Sequence, residues 1–171
     1  MFFVASLPRT RTYWLSQYFS SLPGVRCYHE LLNGLATRQQ FYDAMERDTD
    51  EITGNADCGL YITDFHTRWP DAPVLIVDRA VEDVHASLAA CLPRWGYEVP
   101  AVAQLEEQRA ALASVTAMHV PFNRLDEYLP EVHEYLGLPA YDPVNATIMS
   151  QQNLQMPDLV ASVDSFRLWA A

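Results

Sequence analysis

Hydrophobic and polar positions fall into two kinds of segment along this chain. Phe2-Phe3-Val4-Ala5 and Val74-Leu75-Ile76-Val77 are short, unbroken apolar runs, with the length and continuity of strands covered on both faces. Each is followed by apolar residues at helical spacing: Leu15, Tyr18, Phe19 and Leu22 after the first, Val81, Val84, Leu88 and Leu92 after the second. Weaker signals fill the intervals. Residues 25–28 read as a short strand behind the turn signal Leu22-Pro23-Gly24, and residues 51–53 as a faint one. Residues 37–47 predict a helix with Phe41 and Met45 on one face, and residues 59–69 a helix that stops before Pro70-Asp71-Ala72-Pro73. Residues 92–100 predict a loop able to lie over a site, 101–113 a helix, 115–120 a strand, and 125–136 a helix closing at Gly137.

Strands alternating with helices predict an α/β fold, a three-layer sandwich with a mainly parallel central sheet. The chain has 171 residues and no Pro/Gly/Ser-rich linker, so a single domain over residues 1–171 is expected.

Charge narrows the function. A formal net charge of -11 argues against a nucleic-acid surface or an anionic-membrane surface, both of which need clustered positive charge. Lysine is absent, so any cation that meets an anionic ligand must be arginine. Cys27, Cys58 and Cys91 have no CxxC spacing and predict neither a disulfide framework nor a zinc site. A reducing, cytoplasmic setting follows as the expectation. No apolar run approaches the roughly 18 residues of a membrane span, and Met1 leads at once into a strand without a basic leader.

The candidate chemistry lies where strands end. In "SLPRTRTYWL" the first strand passes through a short loop into a helix, an arrangement that points helix N-terminal amides at an anion. Arg9 and Thr12 sit in that loop, and Asp78 and Arg79 follow the strongest strand. Both places are on the sheet edge where open α/β folds bind ligands. A Walker A phosphate loop needs GxxxxGK[ST], but here Ser6, Arg11, Thr12 and Tyr13 stand at its Gly, Gly, Lys and Ser/Thr positions. Metal-assisted ATP or GTP hydrolysis is therefore disfavoured.

These residues resemble a family. "LPRTRTYWL" is similar to the 5'-phosphosulfate loop of PAPS-dependent sulfotransferases, within the broader P-loop superfamily, and "VDRAVEDVHAS" is similar to their 3'-phosphate segment, an arginine followed eight positions later by a serine. "HVPFNRLDEYLPEVHEYLGLP" resembles the strand, turn and helix of small bacterial or phage-type members. The resemblance covers roughly residues 2–139. It implies the family's P-loop-like sulfotransferase fold and sulfonate transfer from PAPS to a hydroxyl or amine, without a metal. It further implies that Arg9, with Thr10, Arg11, Thr12, Tyr13 and the loop amides, cradles the 5'-phosphosulfate. Trp14 would stack on adenine, unless it is a core residue. Arg79 and Ser87 would hold the 3'-phosphate.

Arg9 stands where many members have lysine. The tyrosylprotein sulfotransferases share arginine there, and their catalytic glutamate maps without gaps onto Glu30 in "GVRCYHELLNG". Glu30 is the first candidate for the base. His29, its neighbour, titrates near neutrality and is a further candidate for the base, as an alternative to being a strand-end surface histidine. Asp57 stands where cytosolic members have a catalytic histidine, although "NADCGL" also reads as a helix cap. Arg11 replaces the family glycine, and no C-terminal RKGxxG loop follows Asp142. The acceptor side would come from residues 33–49 and 92–101. Two other readings are a nucleotide kinase-like or nucleotide-hydrolysing P-loop protein and a catalytically silent nucleotide-binding or interaction module.

Overall fold

The structure is a computed structural model and describes residues 1–35, 37–47, 51–57, 59 and 61–151. Cys58, parts of the 33–49 segment and residues 152–171 of the expected domain lie outside the described residues.

Five strands, β1 (Phe2–Ser6), β2 (Val25–His29), β3 (Ile52–Asp57), β4 (Val74–Asp78) and β5 (Met118–Pro121), form one sheet in the order β2-β3-β1-β4-β5. Every neighbouring pair is parallel. Parallel pairing needs a crossover between strands, which is what the alternating pattern supplies. The seven α-helices among the described residues are α1 (Thr12–Ser20), α2 (Arg38–Met45), α3 (Ile62–Arg68), α4 (Val81–Cys91), α5 (Val102–Ala113), α6 (Leu125–Leu136) and α7 (Pro143–Gln151).

Alternation within the central strand divides the core in two. Phe2 and Val4 face the layer of α1, α6 and α7, where Leu15, Phe19, Leu129, Val132 and Met149 are buried. Phe3 and Ala5 face the opposite layer, with Phe41, Phe65, Val84 and Leu105. Period-2 alternation in a strand buried on both sides thus gives the three-layer sandwich. Fully burying one such aliphatic or aromatic side chain contributes roughly 1.5 to 3 kcal/mol. Gly54 is required within this core, because a Cβ there would collide with the Phe2 ring on the neighbouring strand.

Local chemistry explains most element ends. Thr37 caps α2: its hydroxyl accepts from the Gln40 amide, and the Gln40 side chain accepts from the Thr37 amide, both at 3.2 Å. Gly137, at φ 67°, ends α6 in the left-handed region. Three extents differ from expectation. Strand β3 runs to Asp57, because pairing with strands on both sides overrides the poor strand propensity of Gly54, Asn55 and Asp57. Strand β5 starts only at Met118, since Val115 is buried in the turn that closes α5, its amide donating to the Leu112 carbonyl. The first residues of the 92–100 loop form a 3-10 helix, Leu92–Trp95. Helix α7 carries little apolar periodicity in sequence. It is held through buried Ala146 and Met149 and by the Trp14 indole, which donates to the Met149 carbonyl at 3.1 Å.

Candidate functional site

Strand β1 ends at Ser6 and the chain turns into α1 through Leu7, Pro8, Arg9, Thr10 and Arg11. Arg9 and Arg11 both adopt left-handed backbone, at φ 66° and 65°, whereas Thr10 between them does not. Left-handed residues placed this way turn successive amides towards one concavity, the geometry of an anion-binding nest. Each costs a non-glycine residue about 1–2 kcal/mol, so the surrounding contacts must hold the turn in place. Thr10 does part of this: it is fully buried, and its hydroxyl donates to the Leu7 carbonyl at 2.7 Å.

Two further segments close on the same loop. Arg79 leaves the end of β4 and its Nη1 donates to the Arg9 carbonyl at 2.5 Å. Its guanidinium lies 4.5 Å from the centre of the Phe122 ring, and its Nε is buried without a partner among the described residues. From α4, Ser87 accepts from Arg9 Nε at 3.4 Å. The eight-residue spacing of an arginine before a helix and a serine within it brings both side chains to the N-terminus of α1. Phe122 was not anticipated from sequence. Its signal was an aromatic residue placed directly after β5, on the same sheet edge.

Arg11 and Trp14 turn another way. Arg11 pairs with Asp126 of α6 at 3.2 Å, with its guanidinium 5.7 Å from the rings of both Trp14 and Phe122. Trp14 is only 8% exposed and stacks on Tyr18 at 5.1 Å with the planes 9° apart. Tyr18 in turn bonds His133 at 2.7 Å, and burial raises its phenol above its ordinary range. As positioned, Trp14 is a core residue shielded by Tyr18 and flanked by Arg11.

The ends of β2 and β3 bring the acids together. Thr12, the first residue of α1, lies with its hydroxyl 3.3 Å from His29 Nε2, and the Tyr13 ring meets the His29 ring edge-on at 5.2 Å. The same Nε2 is 3.9 Å from a Glu30 carboxylate oxygen. Burial pushes the His29 imidazole towards its neutral form, and the Glu30 charge opposes that only in part. Glu30 itself is left-handed at φ 47°, and its amide donates to the Ala56 carbonyl at 2.9 Å. Asp57 accepts from the Gly59 amide at 2.5 Å and from Asn55 Nδ2 at 2.8 Å. Burial dominates its protonation and pushes the carboxyl up to about 7, with the Glu30 charge adding to the rise and the two hydrogen bonds opposing it. The Gly59 contact is a local turn and not the helix cap that "NADCGL" suggested: α3 starts only at Ile62, its N-cap is Tyr61, and no side chain caps it.

All eleven residues singled out in the sequence therefore lie on or beside one sheet edge. They divide into an arginine cluster (Arg9, Arg79, Ser87), an acid cluster (His29, Glu30, Asp57) and the Thr10–Trp14 segment between them. No group of three or more His, Cys, Asp or Glu suited to a metal ion occurs among the described residues, and none of their helices is long and apolar enough to cross a membrane. A cavity of about 470 Å³ lies at the far end of α1, lined by Ser21, Pro23, Pro139 and Asn145, with Asp142 its one titratable residue.

No protein-family model and no curated protein matches the chain. Solved structures do. A sulfotransferase from Alicyclobacillus acidocaldarius superposes with a TM-score of 0.62 at 15% identity, over 96% of this chain and 90% of that one. The mouse sulfotransferase SULT7A1, complexed with PAP, superposes with a TM-score of 0.59 at 11% identity, over 88% of this chain but only 62% of its own. The chain thus has the α/β fold of these sulfotransferases, with a parallel five-stranded sheet between two helical layers.

Proposed function

We propose that this chain is a sulfotransferase that moves a sulfonate group from PAPS, 3'-phosphoadenosine 5'-phosphosulfate, to a hydroxyl or amine of an acceptor. The observation that carries this reading is the meeting of Arg9, Arg79 and Ser87, from three separate segments, at the N-terminus of α1. A transferable sulfonate bears one negative charge, so helix-end amides and a few guanidiniums suffice to stabilise it. The SULT7A1 complex with PAP, on the same fold, supports a 3'-phosphorylated nucleotide as the ligand.

The residues fit the phosphate-bearing part of that donor. The left-handed turn supplies amides, Arg9 a cation at the 5' side, and Arg79 with Ser87 a forked cation and a hydroxyl for the 3'-phosphate. The unpartnered Nε of Arg79 is a donor with capacity to spare. Base stacking on Trp14 fits less well, because Tyr18 covers one face of the ring. Phe122 is the aromatic ring that lies against Arg79 itself.

In the reaction, the acceptor oxygen or nitrogen bonds to sulfur while the bond from sulfur to the 5'-phosphate oxygen breaks. The electron pair leaves with the phosphate, and the acceptor proton passes to a base. Arginine at position 9 stabilises the leaving oxygen by charge and does not supply a proton. Glu30 is the base of the primary reading, with its carboxylate beside His29 and the start of α1. Asp57 is the second reading, favoured by a carboxyl poised at about 7, close to the optimum for a general base at neutral pH. His29 serves the primary reading as a neutral neighbour whose Nε2 faces both Thr12 and Glu30.

Incubation with PAPS radiolabelled in the sulfonate, EDTA and a panel of phenols, tyrosine peptides, alcohols and amines tests the reading. Label transfer to any acceptor in EDTA is the expected result. Label retained on PAPS throughout, with nucleotide hydrolysis that depends on magnesium, would overturn it in favour of the kinase-like alternative.

A further inference from the structure

One uncharged side chain in the middle of β3, Asn55, links the Asp57 carboxylate to the backbone next to Glu30. Asn55 is fully buried. Its Oδ1 accepts the Leu31 amide at 3.2 Å, immediately beyond the left-handed turn at Glu30, and its Nδ2 donates to Asp57 Oδ2 at 2.8 Å. The orientation of the amide is forced, because the Leu31 N–H can only donate and must meet the oxygen. Period-2 alternation puts Asn55 and Asp57 on the same face of β3, and parallel register sets Asn55 beside Tyr28 of β2. A buried asparagine in the middle of a sheet has poor strand propensity and a polar group to satisfy, so packing alone does not explain it.

We propose that Asn55 is a positioning residue: it fixes the Glu30 turn and the Asp57 carboxyl at one spacing and keeps Asp57 in its proton-accepting form. This rests on the sulfotransferase reading only in what the acids are for. The physical argument is one of asymmetry. An Nδ2 donor bonds an ionised carboxylate more strongly than a protonated one, whose oxygens are weaker acceptors, so it opposes the burial that favours protonation. The groups facing Asp57 leave few other ways to do this. From β2 come Glu30, whose charge acts in the same direction as burial, and His29, which burial keeps neutral. From β1, the register partner is Ala5, which has no charge. Among the described residues, the Gly59 amide is the other hydrogen-bond donor to Asp57.

The test compares N55L, which loses both contacts, with N55D, which keeps an acceptor for Leu31 but puts a carboxyl where the donor was. In the intact chain, carbon-13 NMR follows the titration of the Asp57 side-chain carboxyl, and amide exchange follows Leu31. The midpoint of Asp57 is expected to rise by about one pH unit or more in both variants, since a hydrogen bond to a charged group is lost. Leu31 exchange is expected to speed up at least about tenfold in N55L and much less in N55D. If N55L does not fold, N55A, which loses the same two contacts without adding a charge, takes its place, because the carboxylate of N55D would by itself raise the Asp57 midpoint. An Asp57 midpoint that stays within about 0.3 units of wild type in N55L or N55A would overturn the proposal, given the precision a one-unit shift demands. Failure of the sulfotransferase reading is recognised separately, as absence of label transfer by the wild-type chain, and leaves the titration result intact. Where transfer occurs with Asp57 as its base, the second reading, the acid limb of its pH profile is expected to move with the Asp57 midpoint in N55L.

Discussion

Along one sheet edge, the β1–β4 corner and the β2–β3 corner obtain their chemistry in different ways. At β1–β4 the active groups are guanidiniums, charged at any working pH, and their placement is the whole problem. Arg79 reaches a backbone carbonyl of the α1 loop, and Arg9 reaches a serine on α4. At β2–β3 the active groups are acids and a histidine, and placement is only half the problem. Burial moves Asp57 to about 7 and His29 towards neutrality, so solvation decides which of them can take a proton. In the proposed reading the first corner binds an anion and the second manages a proton. Thr12 joins them, with its backbone in the α1 N-terminus and its hydroxyl on His29.

Breaking the proton corner should give the largest effect. Glu30→Gln is expected to lower turnover by roughly 10² to 10⁴ while leaving donor affinity nearly constant, measured by initial rates and by calorimetry. Should Asp57→Asn abolish turnover while Glu30→Gln retains it, Asp57 is the base and the second reading replaces the first. Breaking the anion corner gives a smaller, purely binding effect. Arg79→Ala is expected to weaken a 3'-phosphorylated nucleotide by about 1.5 to 3 kcal/mol and scarcely to change the analogue without that phosphate. Equal losses for both nucleotides would make Arg79 a structural brace for the Arg9 carbonyl.

A third experiment sharpens the contrast through stability. The Asp57 carboxyl ionises at 3.8 when unperturbed and at about 7 in the fold, so between those values the folded chain holds a proton that the unfolded chain has lost. Stability should therefore fall as pH rises from 3.8 to about 7, and level off above it. Asp57→Asn removes that slope, and thermal melts across the window should show the variant gaining on wild type as pH rises. The smallest effect belongs to Arg11, which lies between the corners but faces α6. Arg11→Gly loses an exposed ion pair worth about 0 to 1 kcal/mol and relieves a left-handed backbone strain of similar size. Its stability should stay within about 1 kcal/mol of wild type, and Arg11→Ala, which keeps the strain, should be the less stable of the two.

The two corners also differed in how much of them was legible in the sequence. Arg79 was readable as an arginine just past the strongest strand, and Ser87 as its partner only through the resemblance of "VDRAVEDVHAS" to the sulfotransferase 3'-phosphate segment. The apolar runs of β1 and β4 were equally plain, and with them the α/β sandwich. Strand β3 was seen only at its start, because Gly54, Asn55 and Asp57 are residues that strands avoid. They are tolerated there by packing under Phe2 and by a side-chain hydrogen bond, neither of which leaves a periodic trace. For the same reason Asn55 drew no notice, and the protonation of Asp57, a property of its burial, was out of reach. Trp14 illustrates the opposite case: its residue type admitted both stacking on a ligand and core packing, and contacts with Tyr18, one helical turn on, and with Met149, far along the chain, place it in the core. Helix α7 was missed because it has no apolar stripe of its own.

The most direct test of the central claim, that the arginine corner is a site for a 3'-phosphorylated nucleotide, is calorimetric titration of the full chain with 3'-phosphoadenosine 5'-phosphate in EDTA, beside ATP with magnesium and 5'-AMP. The account predicts saturable binding of the first without metal, tighter than 5'-AMP by at least about tenfold, since the added phosphate gains charged hydrogen bonds from Arg79 and Ser87. Preference for ATP with magnesium, or equal affinity for 5'-AMP and its 3'-phosphorylated form, would contradict it.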